Sequence, residues 1–175
     1  MKWKGILINC IIEQLKNDSQ WGDIIEKMLV DTSVGIHLAI FNEPFLSLIY
    51  SMEKKIESRF SMIKRVPFEK VKKGDVIILK ESGGSVNGVF VAGEVTCFQV
   101  ANKESLKVIE TNYGEGICSN ADANFWENRA KSKFVTLIEV KKVKKIVPFK
   151  SEKKDRSGWS ILRAGVSDNL FKQLK

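Results

Sequence analysis

The chain has 175 residues, of which 43% are hydrophobic and 29% charged, and its formal net charge is +8. These values are ordinary for a globular protein with a substantial core, and no apolar run is long enough to span a bilayer. Three cysteines without Cys-x-x-Cys spacing argue against a disulfide framework, and we expect a cytoplasmic protein. The single histidine, His37, cannot anchor a His-based metal site, and we expect neither a metal nor a cofactor.

Residues 1–30 predict two amphipathic helices. Apolar residues recur at helical spacing from Trp3 to Leu15 and again from Trp21 to Leu29. Four lysines and four acidic residues make this segment neutral, unlike the rest of the chain. Packing against the body of the protein is the favoured interpretation. The alternative is a surface for a homodimer or another protein partner.

The next segment predicts a strand, a short helix and a second strand. Apolar residues alternate over residues 33–41. Residues 42–50 then predict a helix with Asn42 as N-cap and Pro44 in its first turn. Alternation returns after this helix and predicts that Glu57 and Arg59 lie on one face of a strand, opposite Phe60.

The remaining segments predict further strands with helices inserted between them. In chain order we expect a basic loop at 62–73, a buried strand at 76–79, a glycine-rich hairpin at 81–88, a long strand at 89–100 with a bulge at Gly93, an irregular and partly helical excursion at 102–116, a helix at 120–131, strands at 133–141, 143–149 and 158–162, and a mobile tail at 164–175. Strands that do not alternate regularly with helices predict the α+β class and a small mixed β-barrel.

The positive charge is concentrated in two segments. Residues 53–73 and residues 139–156 each contain eight Lys or Arg against three Asp or Glu. If the two segments are neighbours in the fold, they form one basic face of the kind that binds polyanions. The alternative is that lysine-rich strands simply keep the protein soluble.

One motif connects these observations to a known family. Lys54-x-x-Glu57-x-Arg59, after a short Pro-Phe helix, resembles the Gly-x-Lys-x-x-Glu-x-Arg signature of the ASCH domain, a branch of the PUA-like superfamily. Met52 stands where that signature has Gly. The resemblance runs from about residue 33 to residue 162, and it implies a PUA-like barrel with a helix across its mouth. We therefore divide the chain into an N-terminal helical extension (1–30), an ASCH/PUA-like domain (31–163) and a tail (164–175).

The motif residues suggest a polar cluster at the mouth of a basic cleft. Arg59 offers a planar fork for a phosphate or a base edge, and Lys54 offers a mobile point charge. Glu57 either orients Arg59 or accepts a hydrogen bond from an exocyclic amine of a base. Lys54 is out of phase with the strand, so it can join the other two only from a turn or a bulge. The alternative is a solvent-exposed ion pair of little energetic value.

Aromatic residues beside cations form a second pattern. Trp126 lies near Arg129, Trp159 follows Arg156, and Tyr50, which we expect to be at least half exposed, precedes the motif. Exposed rings of this kind stack on unpaired bases, although each Trp has burial in the core as its alternative. The predicted nucleic-acid-binding residues are Tyr50, Lys54, Glu57, Arg59, Lys153, Lys154, Arg156 and Trp159.

The resemblance also leaves catalysis open. Some ASCH relatives are acetylcytidine amidohydrolases and others are described as ribonucleases. The amidohydrolase pattern has the lysine, as at Lys54, but usually a nucleophilic threonine where this chain has Glu57. A general base is expected after the long strand, where Glu115 is the best match and Glu110 is near; the catalytic set would be Lys54, Glu57 and Glu115. We favour binding of RNA, or another nucleic acid or nucleoside, through single-stranded or modified bases. A hydrolase using the same cleft and a protein-interaction module built on residues 1–30 are the alternatives.

Overall fold

The protein is described here from a computed structural model, which covers residues 2–153 and 157–166. Its helices and strands, in chain order, are α1 (Lys2–Leu15), α2 (Gly22–Val30), β1 (Ile36–Phe41), α3 (Phe45–Tyr50), β2 (Ile56–Ser61), β3 (Val76–Glu81), β4 (Val86–Gln99), α4 (Lys103–Ile117), β5 (Phe134–Phe149) and β6 (Trp159–Arg163). The two predicted N-terminal helices and the predicted motif strand are confirmed.

The six strands form one curled sheet in the order β2-β5-β4-β3-β1-β6. The β1–β3 pair is parallel and the other pairs are antiparallel. The sheet is a half-barrel with helices on its faces, which confirms the predicted α+β class and the barrel-like architecture. Strand β2 lies at one edge and β6 at the other. The two edges approach each other at the mouth of the half-barrel, where the guanidinium of Arg59 on β2 donates to Gly158 O just before β6.

Both faces of the central strands are covered, which explains why β1 is a nearly continuous apolar run. Ile36 and Leu38 face one cluster, which also holds the buried side chains of α1 and α2. Ala39 and Phe41 face the interior of the half-barrel, where α3 packs. The N-terminal helices are therefore part of the core, as the favoured interpretation predicts.

A third apolar cluster lies where α4 packs beside β2 and β5. The sequence predicts only an irregular, partly helical excursion here, whereas α4 is a regular helix of 15 residues. It is capped by Asn102, whose side chain accepts a hydrogen bond from the Ser105 amide at 2.9 Å. The predicted helix at 120–131 is wrong: the segment contains only two short 3₁₀ turns, Ser119–Ala121 and Glu127–Arg129.

Two local predictions also differ from the structure. Asn42 does not cap α3 with its side chain; Glu43 takes this role, because its carboxylate accepts hydrogen bonds from the amide and the hydroxyl of Ser47 at 3.0 and 2.9 Å. The predicted strands 133–141 and 143–149 are one strand, β5, in which Lys142 has a left-handed backbone with φ of 48°. The predicted bulge at Gly93 is confirmed by a register shift between Ala92 and Val95.

Within residues 2–153 and 157–166, no helix combines the length and the apolar character that a membrane crossing requires.

Candidate functional site

A tight turn between α3 and β2 delivers the first motif residue. Met52 has φ of 61°, in the left-handed region that favours glycine, which gives a physical reason for the Gly of the ASCH signature. The turn forms in spite of the methionine: the Lys54 amide donates to Leu48 O at 2.9 Å and the Lys55 amide donates to Gly116 O at 2.9 Å. Lys54 thus joins the strand residues from the turn, as the sequence requires.

The Lys54 side chain is buried beside the first residue of α3. It is 2% exposed, and its Nζ donates to Ile117 O at 2.8 Å and lies 3.6 Å from Glu57 Oε2. The Phe45 ring is 5.3 Å from the same nitrogen. Burial removes water from the ammonium and lowers the pKa of Lys54, an effect that the Glu57 carboxylate partly offsets. A buried amine with a lowered pKa is typical of functional sites.

Glu57 connects Lys54 to Arg59. Its side chain is 5% exposed, and Oε1 accepts a hydrogen bond from Arg59 Nε at 2.6 Å. The two residues are same-face neighbours on β2, as predicted. The hydrogen bond between them supports the suggested role of Glu57 in orienting Arg59. The solvent-exposed ion pair that was the alternative is not what forms, because the carboxylate is almost fully buried.

Arg59 holds the two edges of the sheet together. From the edge strand β2, its guanidinium donates to Ile40 O at 2.9 Å in β1 and to Gly158 O at 3.3 Å just before β6. It also lies between the rings of Phe41 and Trp159, at 4.9 and 5.1 Å from their centroids. Three of its N–H groups are therefore engaged within the protein, and two of the five remain for a ligand.

These three residues line an open cleft of about 910 Å³. The cleft contains the cations Lys54, Arg59, Arg65 and Arg129 and the acidic residues Glu43, Glu57 and Asp122. Its aromatic lining is Phe41, Phe45, Phe60 and Phe125. The charges nearly balance, so the site presents both donors and acceptors, together with the partly exposed rings of Phe45 and Phe60, whereas Phe41 and Phe125 are buried.

Arg129 is a residue that the sequence analysis noted only as a companion of Trp126. Its guanidinium lies 3.6 Å from the Phe125 ring centroid and donates to Phe125 O at 2.8 Å, and it is 3.9 Å from the Asp122 carboxylate. Partial burial lowers the pKa of Arg129. Periodicity could not assign Arg129 to the cleft, because its segment is neither a regular helix nor a strand. The spacing of Asp122, Phe125 and Arg129 was the available sequence signal that these three residues contact one another.

Two predicted aromatic residues lie elsewhere. Trp159 is 3% exposed and its Nε1 donates to His37 Nδ1 at 3.2 Å, so it influences the cleft chiefly through Arg59. His37 is buried against Asp75, as expected of a packing residue. The expectation that Tyr50 is at least half exposed is wrong: it is partly buried, and its hydroxyl donates to Asn87 Oδ1 at 2.7 Å, outside the cleft lining.

The structure does not bring Glu115 to the motif cluster. Glu115 is exposed and lines a separate hollow with Glu53 and Cys118. Lys153 donates to Ser157 O at 2.8 Å. Lys154 and Arg156 lie outside the described residues, so their predicted roles stay predictions.

The part of the chain that the structure describes contains no group of three or more His, Cys, Asp or Glu residues placed to hold a metal ion.

Comparisons with known proteins support the fold. No protein-family model matches the sequence, and curated proteins give no match. The structure is similar to the crystal structure of ASCH from Zymomonas mobilis, with a TM-score of 0.57 and 12% identity over 82% of this chain and 94% of that one. A single-substitution variant of that protein aligns equally well, at 12% identity over 79% of this chain and 95% of that one. The chain therefore has an ASCH-like fold.

Proposed function

We propose that the protein binds nucleic acid, with RNA the favoured class, by accepting a single-stranded or modified base in the cleft. The observation that carries this proposal is the row Lys54–Glu57–Arg59 along an open cleft whose lining includes the partly exposed rings of Phe45 and Phe60. Glu57 uses Oε1 to orient Arg59, while Oε2 lies 3.6 Å from Lys54 Nζ and, with two lone pairs, retains acceptor capacity. A carboxylate held in this way suits the exocyclic amine of cytosine or adenine.

The charge balance of the cleft predicts how binding depends on salt. Three acidic side chains accompany the four cations of the lining, so a ligand gains more from local hydrogen bonds and stacking than from bulk attraction. We expect a shallow salt dependence, equivalent to one or two phosphate contacts. For a single strand, each contact contributes a slope of about −0.7 in a plot of log binding constant against log salt concentration.

Binding of labelled single-stranded RNA, duplex RNA and single-stranded DNA over a salt series tests the proposal. Glu57→Gln keeps the shape of the side chain but removes its charge, and we expect about a tenfold loss of affinity for single-stranded RNA. Asn128→Ala, in the exposed wall of the cleft, provides a second variant that should not affect folding. Glu104→Gln, at the exposed start of α4, is the matched control. Equal affinity of all four proteins would refute the proposal.

One observation favours a hydrolase as second candidate. The burial of Lys54 and the lowered pKa that follows suit a residue that transfers a proton, and the ASCH resemblance includes amidohydrolases and ribonucleases. In this fold Glu57 lies next to Lys54, whereas Glu115 lines another hollow, so Glu57 is the base that the geometry favours. Denaturing gels of the bound probes, and release of acetate from acetylcytidine, distinguish the two functions. A hydrolase would lose turnover in Lys54→Ala; intact ligands with the native protein would exclude it.

The third candidate, a partner surface on residues 1–30, has a narrower structural basis. Leu29 and Val30 at the end of α2 are 56% and 76% exposed, but the opposite side of both helices is core. Deleting residues 1–30 would uncover this core, so a point variant is the better test. Val30→Asp should abolish self-association if this surface forms a dimer, and it should leave the sedimentation of a monomer unchanged.

A further inference from the structure

A second pocket adjoins the cleft at the end of β2. It has a volume of about 280 Å³, and its own lining comes from the loop after β2, from Thr136 and from the segment around Gly158. Arg59, Phe60, Ser61 and Arg65 line both pockets. The two hollows therefore meet at a boundary that carries two arginines. The smaller one is just below the volume of about 300 Å³ at which pockets begin to enclose whole ligands.

The cations of this region differ in how many hydrogen bonds they already make within the protein. Arg59 has three engaged N–H groups, the Lys54 ammonium is buried, and Arg129 is bound to its own turn. Arg65 is exposed, and its guanidinium has no hydrogen bond or ion pair with any residue that the structure describes. It is thus the cation at the boundary with its full donor capacity available.

The backbone that carries Arg65 is nevertheless well anchored. Arg65 O accepts a hydrogen bond from the Phe68 amide at 3.0 Å, and Phe68 is buried edge-to-face against Phe134. The neighbouring Lys64 is paired with Glu69 at 2.5 Å, so this acidic side chain is already neutralised by another cation. The loop therefore presents one uncommitted guanidinium from a fixed position between two pockets.

From this arrangement we infer that Arg65 binds a phosphate adjacent to the recognised base, and that the neighbouring nucleotide enters the second pocket. The guanidinium fork matches the geometry of a phosphate and can donate two parallel hydrogen bonds to it. The ligand class is thus a phosphodiester-linked single strand that crosses Arg65. A free nucleoside has no phosphate for Arg65 to bind. This inference rests on the proposed function and adds the minimum length of the strand.

Replacing phosphates one at a time provides the test. Single-stranded probes are prepared in which one phosphate is a neutral methylphosphonate, and each is titrated against the native protein, Arg65→Ala and Lys64→Ala. We expect one position at which the neutral linkage weakens native binding about tenfold, a loss of the size expected for one charged hydrogen-bond pair. At that position Arg65→Ala should show no further loss, because the contact is already absent. Lys64→Ala removes one charge at the neighbouring residue and frees Glu69 from its ion pair, so its overall affinity can shift, but it should keep the sensitive phosphate position of the native protein.

The outcomes separate this inference from the function on which it rests. If the native protein binds RNA but Arg65→Ala has the same affinity, salt slope and methylphosphonate profile, the phosphate contact is refuted and the base-binding cleft stands. A uniform loss at all positions in both Arg65→Ala and Lys64→Ala would also refute it, because it would indicate general attraction. Absence of RNA binding by the native protein would overturn both proposals.

Discussion

Replacing Arg59 is the most informative test of how the site and the fold depend on each other. Arg59→Ala removes the hydrogen bond to Glu57 and leaves that buried carboxylate with Lys54 alone, 3.6 Å away. Removing one partner of a fully buried ion pair costs about 3–5 kcal/mol. The Arg59 side chain is 22% exposed, so the cost lies toward the lower end of this range. The hydrogen bonds to Ile40 O and Gly158 O each add about 1 kcal/mol.

We therefore expect Arg59→Ala to lower the free energy of unfolding by about 5 kcal/mol, measured by urea denaturation at neutral pH. Arg59→Lys keeps the charge but cannot reach Glu57, Ile40 and Gly158 at once, so about half of this loss should remain. Arg65→Ala is the matched control: the side chain is exposed and unpaired among the described residues, so the change should stay within about 0.5 kcal/mol. A loss below 1 kcal/mol for Arg59→Ala would refute the role of the guanidinium in closing the half-barrel.

Three further predictions concern single positions. Burial should hold the pKa of Lys54 in the folded protein below its ordinary value of 10.5, so the free energy of unfolding should rise with pH between the folded pKa and 10.5. Side-chain NMR of the native chain and of the urea-unfolded chain measures the two pKa values. Equal pKa values would contradict the burial argument. Gly35→Ala should lower the free energy of unfolding by about 2 kcal/mol in urea denaturation, because a Cβ there would lie 2.8 Å from both carboxylate oxygens of Asp75. Gly5→Ala is the control: it has open space around it on α1 and should stabilise the protein by up to about 1 kcal/mol. In the same assay, the Met52→Val variant should be about 1–2 kcal/mol less stable than the Met52→Gly variant, because a β-branched residue is strained at a left-handed φ. Equal stability of the two variants would show that the turn does not require this backbone conformation.

The motif strand was predictable because its signals are local. Alternation placed Glu57 and Arg59 on one face, and the phase of Lys54 required a turn, which the structure has at Met52. The sheet class followed from the same kind of pattern. These inferences succeed because side-chain direction in a strand depends only on the parity of the residue number.

The rest of the site depends on contacts that no local pattern encodes. The closure of the half-barrel by Arg59 joins residues 19 and 99 positions away in the chain. Arg129 reaches the cleft from a segment of 3₁₀ turns, where neither helical nor strand periodicity applies. Arg65 is one of many basic residues in its loop, and its selection depends on which neighbours are already paired. The number of cations can be read from the sequence, whereas which of them remain unpaired depends on contacts that form only in the folded protein.

The four signature positions divide into different physical tasks. Position 52 is a requirement on the backbone, which is why a methionine can stand there at the cost of some strain. Lys54 and Glu57 form the buried part of the cleft, and Arg59 joins the ends of the sheet. Because Arg59 both lines the cleft and joins the ends of the sheet, its replacement affects stability and binding at once. Loss of binding in Arg59→Ala would therefore not distinguish a ligand contact from an opened half-barrel. Residues that line the cleft without closing it, such as Arg65 and Asn128, are the ones whose replacement reports on binding alone.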